Sequence, residues 1–293
     1  MALYEDKYRR AVEALSIFLQ ELGELTPPPK EVPPELLDEF TMGGQIPIAY
    51  HYLNDKPYRI KDDNGEISLE KSDPRIIFLK SDIDHYQEMV RNKDSLFRSE
   101  TDTWLYEALN KYPIKGKTIA IMGAALPCDN AVCLEYGADP ITIEYQARFS
   151  DDSRVDFYTP AQFERTGMIT DCALSLSSFE HDGLGRYGDP IDPNGDLKAM
   201  QKMKAIVRKD GLMYLSLPTN TRDVVGWNAN RIYGPIRLPM MLEDWHIVDV
   251  FGAPGQCISV SDGKILIDPA GWQDYYEKRN LPKPEEWVFI LRN

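Results

Sequence analysis

The chain has 293 residues and a formal net charge of -14, with 43% hydrophobic and 27% charged residues. This composition is typical of a globular protein with a sizeable core. The excess negative charge repels nucleic-acid backbones and anionic lipid surfaces, so neither is an expected partner. No stretch approaches the roughly 18 apolar residues of a membrane span, and the N-terminus lacks an apolar leader, so we expect a cytoplasmic protein.

The cysteines give no sign of a metal site or a disulfide framework. Cys128, Cys133, Cys172 and Cys257 contain no C-x-x-C pair, and most of them lie in apolar runs, where a reduced thiol packs as a small hydrophobe. Cys128 precedes a predicted helix start, which is also typical of a reactive thiolate, but no base stands beside it in the sequence.

Residues 1–112 are predicted to form a helical extension with a small hairpin. Apolar residues recur at helical spacing at its start, which predicts an amphipathic helix that caps the core or joins a second copy of the chain in a homo-oligomer. These residues are Tyr4, Tyr8, Ala11, Val12, Leu15, Phe18, Leu19 and Leu22. A proline-rich connector, a hairpin at Tyr58–Leu69 with an Asn64-Gly65 turn, and helices near Ile83–Arg91 and Glu100–Asn110 follow.

Residues 113–293 are predicted to form a Rossmann-like, doubly wound α/β domain. Short apolar strands alternate with helical stretches, which indicates a mostly parallel sheet covered on both faces. The seven predicted strands are Thr118–Met122, Ile141–Tyr145, Arg154–Tyr158, Cys172–Leu176, Gly211–Leu217, His246–Phe251 and Trp287–Leu291. An Asp262-Gly263 turn predicts a second hairpin, which either covers the crevice or extends the sheet.

The first predicted strand of this domain leads into nucleotide-binding geometry in outline. Gly123 ends the strand, a helix follows, and Glu144 ends the next strand 21 positions later. An acidic residue about 20 positions beyond such a glycine accepts hydrogen bonds from ribose hydroxyls. The G-x-G-x-x-G pattern is absent, because Ala125 replaces the second glycine and Pro127 lacks an N–H donor, so we expect a ligand without pyrophosphate. Pairing with a nearby Lys or Arg is the alternative role of Glu144.

A polar loop, SFEHDGLGRYGDP, follows the predicted strand Cys172–Leu176. Ligands of open α/β sheets bind at this edge, so His181 is predicted to be a general base, with Glu180 or Asp182 as its support or as the base itself. Arg186, Tyr187 and Asp189 are predicted to orient the substrate. A loop held by local salt bridges is one alternative. A metal site of Glu180, His181, Asp182 and Asp189 is another, although no ligand spacing there is specific.

A second polar segment follows the next predicted strand. Arginine forks bind carboxylate or phosphate, while Asn and Tyr beside a tryptophan suit sugar hydroxyls, so these residues are predicted to bind a polar acceptor. They are Asn228, Asn230, Arg231, Tyr233 and Arg237. The alternative is that the arginines balance the chain's many acids.

Three segments, GADPITIEY, SLSSFEHDGLGRYGDPIDPNGDLKAM and NANRIYGPIRLP, resemble the uncharacterised family known as domain of unknown function 268, over roughly Thr118 to Phe251. That family in turn resembles class I S-adenosylmethionine-dependent methyltransferases. The resemblance implies that the first turn approaches the methionine part of the cofactor and that the acid of the second strand holds the ribose. The candidate cofactor-binding residues are Gly123, Ala124, Glu144 and Ser178.

The leading hypothesis is a methyltransferase that moves a methyl group from S-adenosylmethionine to an oxygen of a sugar or small polar metabolite. One rival is a cofactor-free binding or scaffold protein that retains the fold. Another is a metal-dependent enzyme that acts on a nucleotide sugar. The fold alone does not decide among these classes.

Overall fold

The computed structural model describes residues 2–21, 27–53, 59–61, 67–69, 77–146, 148–279 and 284–293. Its helices are α1 Ala2–Glu21, α2 Leu37–Thr41, α3 Lys80–Asn92, α4 Glu100–Lys111, α5 Cys128–Glu135, α6 Pro160–Thr166, α7 Gly195–Ile206, α8 Arg237–Met241 and α9 Pro269–Arg279. Its strands are β1 Ile48–His51, β2 Arg59–Lys61, β3 Ile67–Leu69, β4 Ile77–Phe78, β5 Thr118–Met122, β6 Asp139–Ile143, β7 Phe149–Ser150, β8 Asp156–Tyr158, β9 Thr170–Leu176, β10 Val207–Thr219, β11 Val224–Asn228, β12 Asn230–Ile232, β13 His246–Phe251, β14 Ile258–Ser261, β15 Lys264–Ile267 and β16 Glu285–Arg292.

Seven strands form one sheet in the order β13-β16-β10-β9-β5-β6-β8. The pairs β10–β9, β9–β5, β5–β6 and β6–β8 are parallel, whereas β16 runs antiparallel to both β10 and β13. All seven predicted strands are present in this sheet, and the predicted Rossmann-like, mostly parallel α/β class is confirmed. The largest difference in bounds is β10, which begins four residues before the predicted Gly211.

The sheet is buried on both faces, which explains why its strands are nearly continuous apolar runs. In β5, for example, Ile119 and Ile121 face one apolar cluster while Ala120 faces the other. Helices α3, α4 and α5 cover the first face, and α7, α8 and α9 cover the second. Helices α3 and α4, which belong to the predicted N-terminal extension, pack on this core. The predicted domain boundary between residues 112 and 113 stays a prediction.

Both predicted hairpins are present. Strands β2 and β3 pair antiparallel, although the Asn64-Gly65 turn between them lies outside the described residues. Strands β14 and β15 pair across Asp262 and Gly263, whose φ angles of +51° and +72° suit a tight turn. This second hairpin packs beside β13 at the outer edge of the sheet, since the N–H of Ile247 donates to the carbonyl of Gly263.

Helix α1 lies against β8 and buries only part of the predicted apolar face. Ala11 and Leu15 are half-buried, whereas Tyr8 and Val12 are 58% and 43% exposed and do not cap the core. The helix is fixed by polar groups instead: Lys7 Nζ donates to the carbonyls of Ser153 and Val155, and Arg10 pairs with Asp156. The side chains of Tyr4, Phe18 and Leu19, and all of Leu22, lie outside the described residues. Within the described part of the chain, no helix has the length and apolar content needed to cross a membrane.

Candidate functional site

The candidate site lies along the edge of the sheet where β5, β6, β9 and β10 end. Because β16 is antiparallel, its first residues lie at the same edge, where Glu285 is paired with Thr219 at the end of β10. Side chains from distant parts of the sequence therefore meet there. The site has two halves: a pocket beside Glu144, and a group of acids around Ser177.

The turn after β5 is in direct contact with the loop after β9. Gly123 has a φ of +72°, and a Cβ atom built on it would lie 1.9 Å from Ser178 Oγ. No residue with a side chain fits at position 123 without displacing Ser178. Any ligand that passes over this turn would contact both residues, which were predicted together as cofactor-binding. Ala124, also predicted to bind the cofactor, is fully buried in the core, so the structure presents no surface of it to a ligand.

Glu144 follows β6 and lines a small cavity together with Gln146, Arg148 and Tyr158. Burial raises the pKa of Glu144, and the charge of Arg148 partly offsets that rise. The carboxylate accepts a long hydrogen bond of 3.3 Å from the N–H of Gln146. Its acceptor capacity fits the ribose diol predicted for it.

Ser177 joins two buried acids into an acid cluster of Ser177, Glu180 and Glu286. Ser177 Oγ lies 2.5 Å from Glu180 Oε1 and 3.2 Å from Glu286 Oε1. The Oε2 atoms of both acids are buried and have no hydrogen-bond partner among the described residues. Burial raises the pKa of Glu180 to about 7, and burial together with the charge of Glu180 raises the pKa of Glu286 to about 7. Both groups therefore titrate near neutral pH, as general acid–base catalysts do.

Ser177 and Glu286 are two residues of the site that were not predicted from the sequence. Ser177 has a φ of +55°, a left-handed conformation that costs a non-glycine residue about 1–2 kcal/mol and is typical of functional sites. Glu286 is the second of two acids that open β16. Only the reversed direction of β16 brings it to the site, and a single sequence does not show that direction.

Arg98 holds the neighbouring turn in place. Its guanidinium donates to both oxygens of Asp129 at 2.9 and 3.3 Å and to the carbonyl of Leu176 at 3.2 Å. This pair joins the start of α5 to the end of β9. Cys128 is buried beside it, and burial, with the charge of Asp129, raises the pKa of the thiol. Cys128 therefore packs as a neutral thiol.

His181 lies next to the acid cluster. Its Nδ1 is 2.7 Å from the carbonyl oxygen of Ala229, which accepts a hydrogen bond from the Nδ1–H group. In the neutral ring the lone pair is then on Nε2, which lies 3.7 Å from Glu180 Oε1. The structure thus brings together His181 and Glu180, the pair predicted to move a proton.

The other two acids of the loop after β9, Asp182 and Asp189, are not part of the acid cluster. Asp189 accepts hydrogen bonds from the N–H groups of Gly183, Gly185 and Tyr187 at 2.7, 3.1 and 3.2 Å, so it shapes the loop. Burial, followed by the charge of Asp189, raises the pKa of Asp182. Arg186 Nη1 donates to the carbonyl of Ala229 at 3.2 Å, and the guanidinium lies over the Tyr187 ring. Of the residues predicted to bind the substrate, Arg186 and Tyr187 lie beside His181.

The predicted acceptor residues of the next segment are engaged elsewhere. Arg237 pairs with Asp196 at 2.5 Å, Tyr233 donates to Asp196 at 3.0 Å, and Arg231 donates to the carbonyls of Asp182, Asp192 and Pro193. Burial alone would raise the pKa of Asp196, but the two arginines lower it. All three side chains are at most 2% exposed. Their predicted role in acceptor binding is therefore replaced by a structural one, because internal partners use their polar groups.

The two asparagines of this segment also make internal contacts. Asn228 Oδ1 accepts from the N–H of Leu53 at 2.8 Å, and Asn230 Nδ2 donates to the carbonyl of Arg231 at 3.1 Å. Asn228 Nδ2 is buried without a hydrogen-bond partner among the described residues. Of the described residues, no group of three or more His, Cys, Asp or Glu is arranged to hold a metal ion, so the metal alternative gains no support.

A seven-stranded, mostly parallel sheet with one reversed strand near its end, and a candidate site at its carboxyl edge, is the fold that the resemblance to class I methyltransferases implies. Residues 118–261 match the model of the family described as "Caenorhabditis protein of unknown function, DUF268", so the family resemblance stated from the sequence is confirmed. A search of the sequence against curated proteins gave no match.

Solved structures of similar shape include three methyltransferases. The 1,6-didemethyltoxoflavin-N1-methyltransferase of Burkholderia thailandensis, solved with S-adenosylhomocysteine, is 14% identical, with coverage of 83% of this chain and 98% of that one and a TM-score of 0.43. An S-adenosylmethionine-dependent methyltransferase of Mesorhizobium loti is 13% identical, covering 65% and 98%, with a TM-score of 0.39. One from Archaeoglobus fulgidus is 12% identical, covering 71% and 99%, also with a TM-score of 0.39.

Proposed function

We propose that the protein transfers a methyl group from S-adenosylmethionine to an oxygen of a sugar or another small polar acceptor. The observation that supports this most is the meeting of Gly123, Glu144 and the acid cluster at one edge of the sheet. Glu144 would hold the ribose, and Gly123 with Ser178 would contact the methionine part. The cofactor, when bound, supplies an electrophilic methyl group and its own leaving group.

The chain's own residues must then position the acceptor and take its proton. His181 is the proposed base, because its Nε2 lone pair and Glu180 lie together at the site. Glu180 shares the proton that the hydroxyl loses as the new carbon–oxygen bond forms, since its pKa of about 7 lets it exist in both forms at neutral pH. Arg186 and Tyr187, which lie beside His181, are the proposed acceptor-binding residues.

The first test is calorimetric titration with S-adenosylmethionine and S-adenosylhomocysteine, with and without Mg²⁺. Saturable micromolar binding is expected. Glu144→Ala should weaken it about tenfold or more, since it removes the ribose acceptor. Glu164→Ala, which changes an exposed acid on α6, is the control and should leave binding unchanged.

The same titrations separate the rival functions. No binding under any condition would leave the cofactor-free binding or scaffold function. Binding or turnover of a nucleotide sugar only with Mg²⁺ would favour the metal-dependent enzyme. Once an acceptor is found, His181→Ala should abolish turnover and leave the affinity for S-adenosylhomocysteine nearly unchanged; retained turnover would remove His181 from the mechanism.

The exposed face of α1 supports the proposal that two copies of the chain associate through this helix. Tyr8 and Val12 stand one helical turn apart and are both exposed. Sedimentation velocity of the wild type should show a dimer, and the double variant Tyr8→Glu, Val12→Glu should sediment as a monomer. A monomeric wild type at all concentrations would overturn the proposal.

A further inference from the structure

Arg148 is a buried cation for which the described residues supply no carboxylate at salt-bridge distance. The residue is 8% exposed, yet its Nε and Nη1 atoms are buried and find no hydrogen-bond partner among the described residues. No carboxylate oxygen of the described residues is recorded within 4.0 Å of it. Burial lowers the pKa of Arg148, and the charge of Glu144 offsets this only in part. Burial of a guanidinium with unused donors is unfavourable, so the burial of Arg148 points to a ligand that uses them.

Arg148 lines the same cavity as Glu144. The cavity has a volume of about 20 Å³, which is room for one or two water molecules. Its polar walls also include Gln146, Ser150, Thr159 and Gln162. The walls are more basic than acidic, in contrast to the chain's net charge of -14.

The other two cations of the cavity are already engaged, which singles out Arg148. Lys7 donates to two backbone carbonyls, and Arg10 pairs with Asp6 and Asp156. Both belong to α1, which forms one wall of the cavity. A ligand larger than one or two water molecules therefore needs more room than the cavity offers between α1 on one side and Glu144 and Arg148 on the other.

We propose that Arg148 is an anion subsite, which binds a phosphate group next to the sugar that Glu144 holds. A guanidinium presents two parallel donors that match two phosphate oxygens. In Rossmann-like folds, an arginine near the acid of the second strand accommodates a phosphate on the ribose. This goes beyond the proposed function, because S-adenosylmethionine carries its only anionic group at the methionine end. The phosphate belongs either to the ribose of the bound nucleotide or to a separate phosphorylated ligand.

Calorimetry with adenosine, adenosine 2′-monophosphate, adenosine 3′-monophosphate and inorganic phosphate tests the subsite. We expect one of the two nucleotides to bind wild type at least about tenfold more tightly than adenosine, and Arg148→Gln to remove that advantage. Arg91→Gln is the control, since Arg91 is 60% exposed and pairs with Glu135 on another surface; it should preserve the advantage. In a further titration, inorganic phosphate is added in the presence of S-adenosylhomocysteine. If phosphate binds there, if its binding depends on Arg148, and if neither nucleotide binds better than adenosine, the anion belongs to a separate ligand.

Equal binding of adenosine and both nucleotides, with no binding of phosphate, would overturn the subsite. Binding of phosphate that survives Arg148→Gln would do the same. Arg148→Lys keeps the charge but loses the fork, so it should retain part of the advantage and serve as a second variant if Arg148→Gln unfolds. S-adenosylhomocysteine should bind wild type and Arg148→Gln equally; its failure to bind wild type would refute the proposed cofactor without bearing on Arg148.

Discussion

At the scale of single residues, the closest packing of the candidate site is the contact between Gly123 and Ser178. Gly123→Ala should destabilise the protein by about 2–4 kcal/mol, because the new Cβ collides with Ser178 Oγ and φ is +72°. The double variant Gly123→Ala, Ser178→Gly removes the colliding atoms and should recover all but about 1 kcal/mol, the cost of the positive φ. Urea denaturation of the four proteins in this cycle measures the coupling. Additive effects of the two substitutions would show that the two residues do not touch.

The residues also show how far the sequence predicts the site. Glu144, Glu180 and His181 directly follow strands whose apolar runs are plain in the sequence, so their place at the edge was predictable. The same reasoning predicted an exposed place at the edge for three residues of the next segment, Arg231, Tyr233 and Arg237. Their side chains instead point into the protein interior, where they contact the buried carboxylate of Asp196 on α7. Such long-range pairing leaves no local signal in the chain.

At the scale of elements, α1 departs most from its sequence pattern. Its apolar spacing predicts burial of Tyr8 and Val12, yet Arg10 determines which face docks: its guanidinium bonds Asp156 at 2.7 Å and lies 4.1 Å from the centre of the Tyr158 ring. Hydrophobic periodicity identifies the helix but does not show which of its faces packs on the sheet. That face is set by cations of α1 that bind acidic and aromatic side chains of β8.

Arg10→Ala should therefore loosen α1 while the rest of the fold stays intact. Loss of the ion pair, the ring contact and the packed stem removes about 1–2 kcal/mol of docking energy. Amide hydrogen exchange of residues 5–17 should speed up about five- to thirtyfold, with little change in the sheet. Arg9→Ala is the matched control, because Arg9 is 79% exposed and pairs only within the helix. Equal acceleration by both variants would mean that Arg10 does not anchor the helix.

At the scale of the whole molecule, the acid cluster makes stability depend on pH. The pKa values of Glu180 and Glu286 are raised to about 7 from an ordinary value of 4.5. Between pH 4.5 and 7 the folded protein thus binds more protons than the unfolded chain, and the free energy of unfolding falls as pH rises. Each group contributes at most about 1.4 kcal/mol per pH unit, and the loss is complete above the folded pKa.

Glu286→Gln tests this dependence, because a neutral amide of the same shape cannot lose a proton. The variant should gain about 1–3 kcal/mol over wild type at pH 8 and differ little at pH 4.5, since there both side chains are uncharged. The remaining dependence on pH then comes from Glu180, whose pKa stays raised by burial. Glu243→Gln, on an exposed surface, should follow the wild type throughout. Urea denaturation at half-unit steps from pH 4.5 to 8 decides the matter: parallel curves for wild type and Glu286→Gln would show that the pKa of Glu286 is not raised in the folded protein.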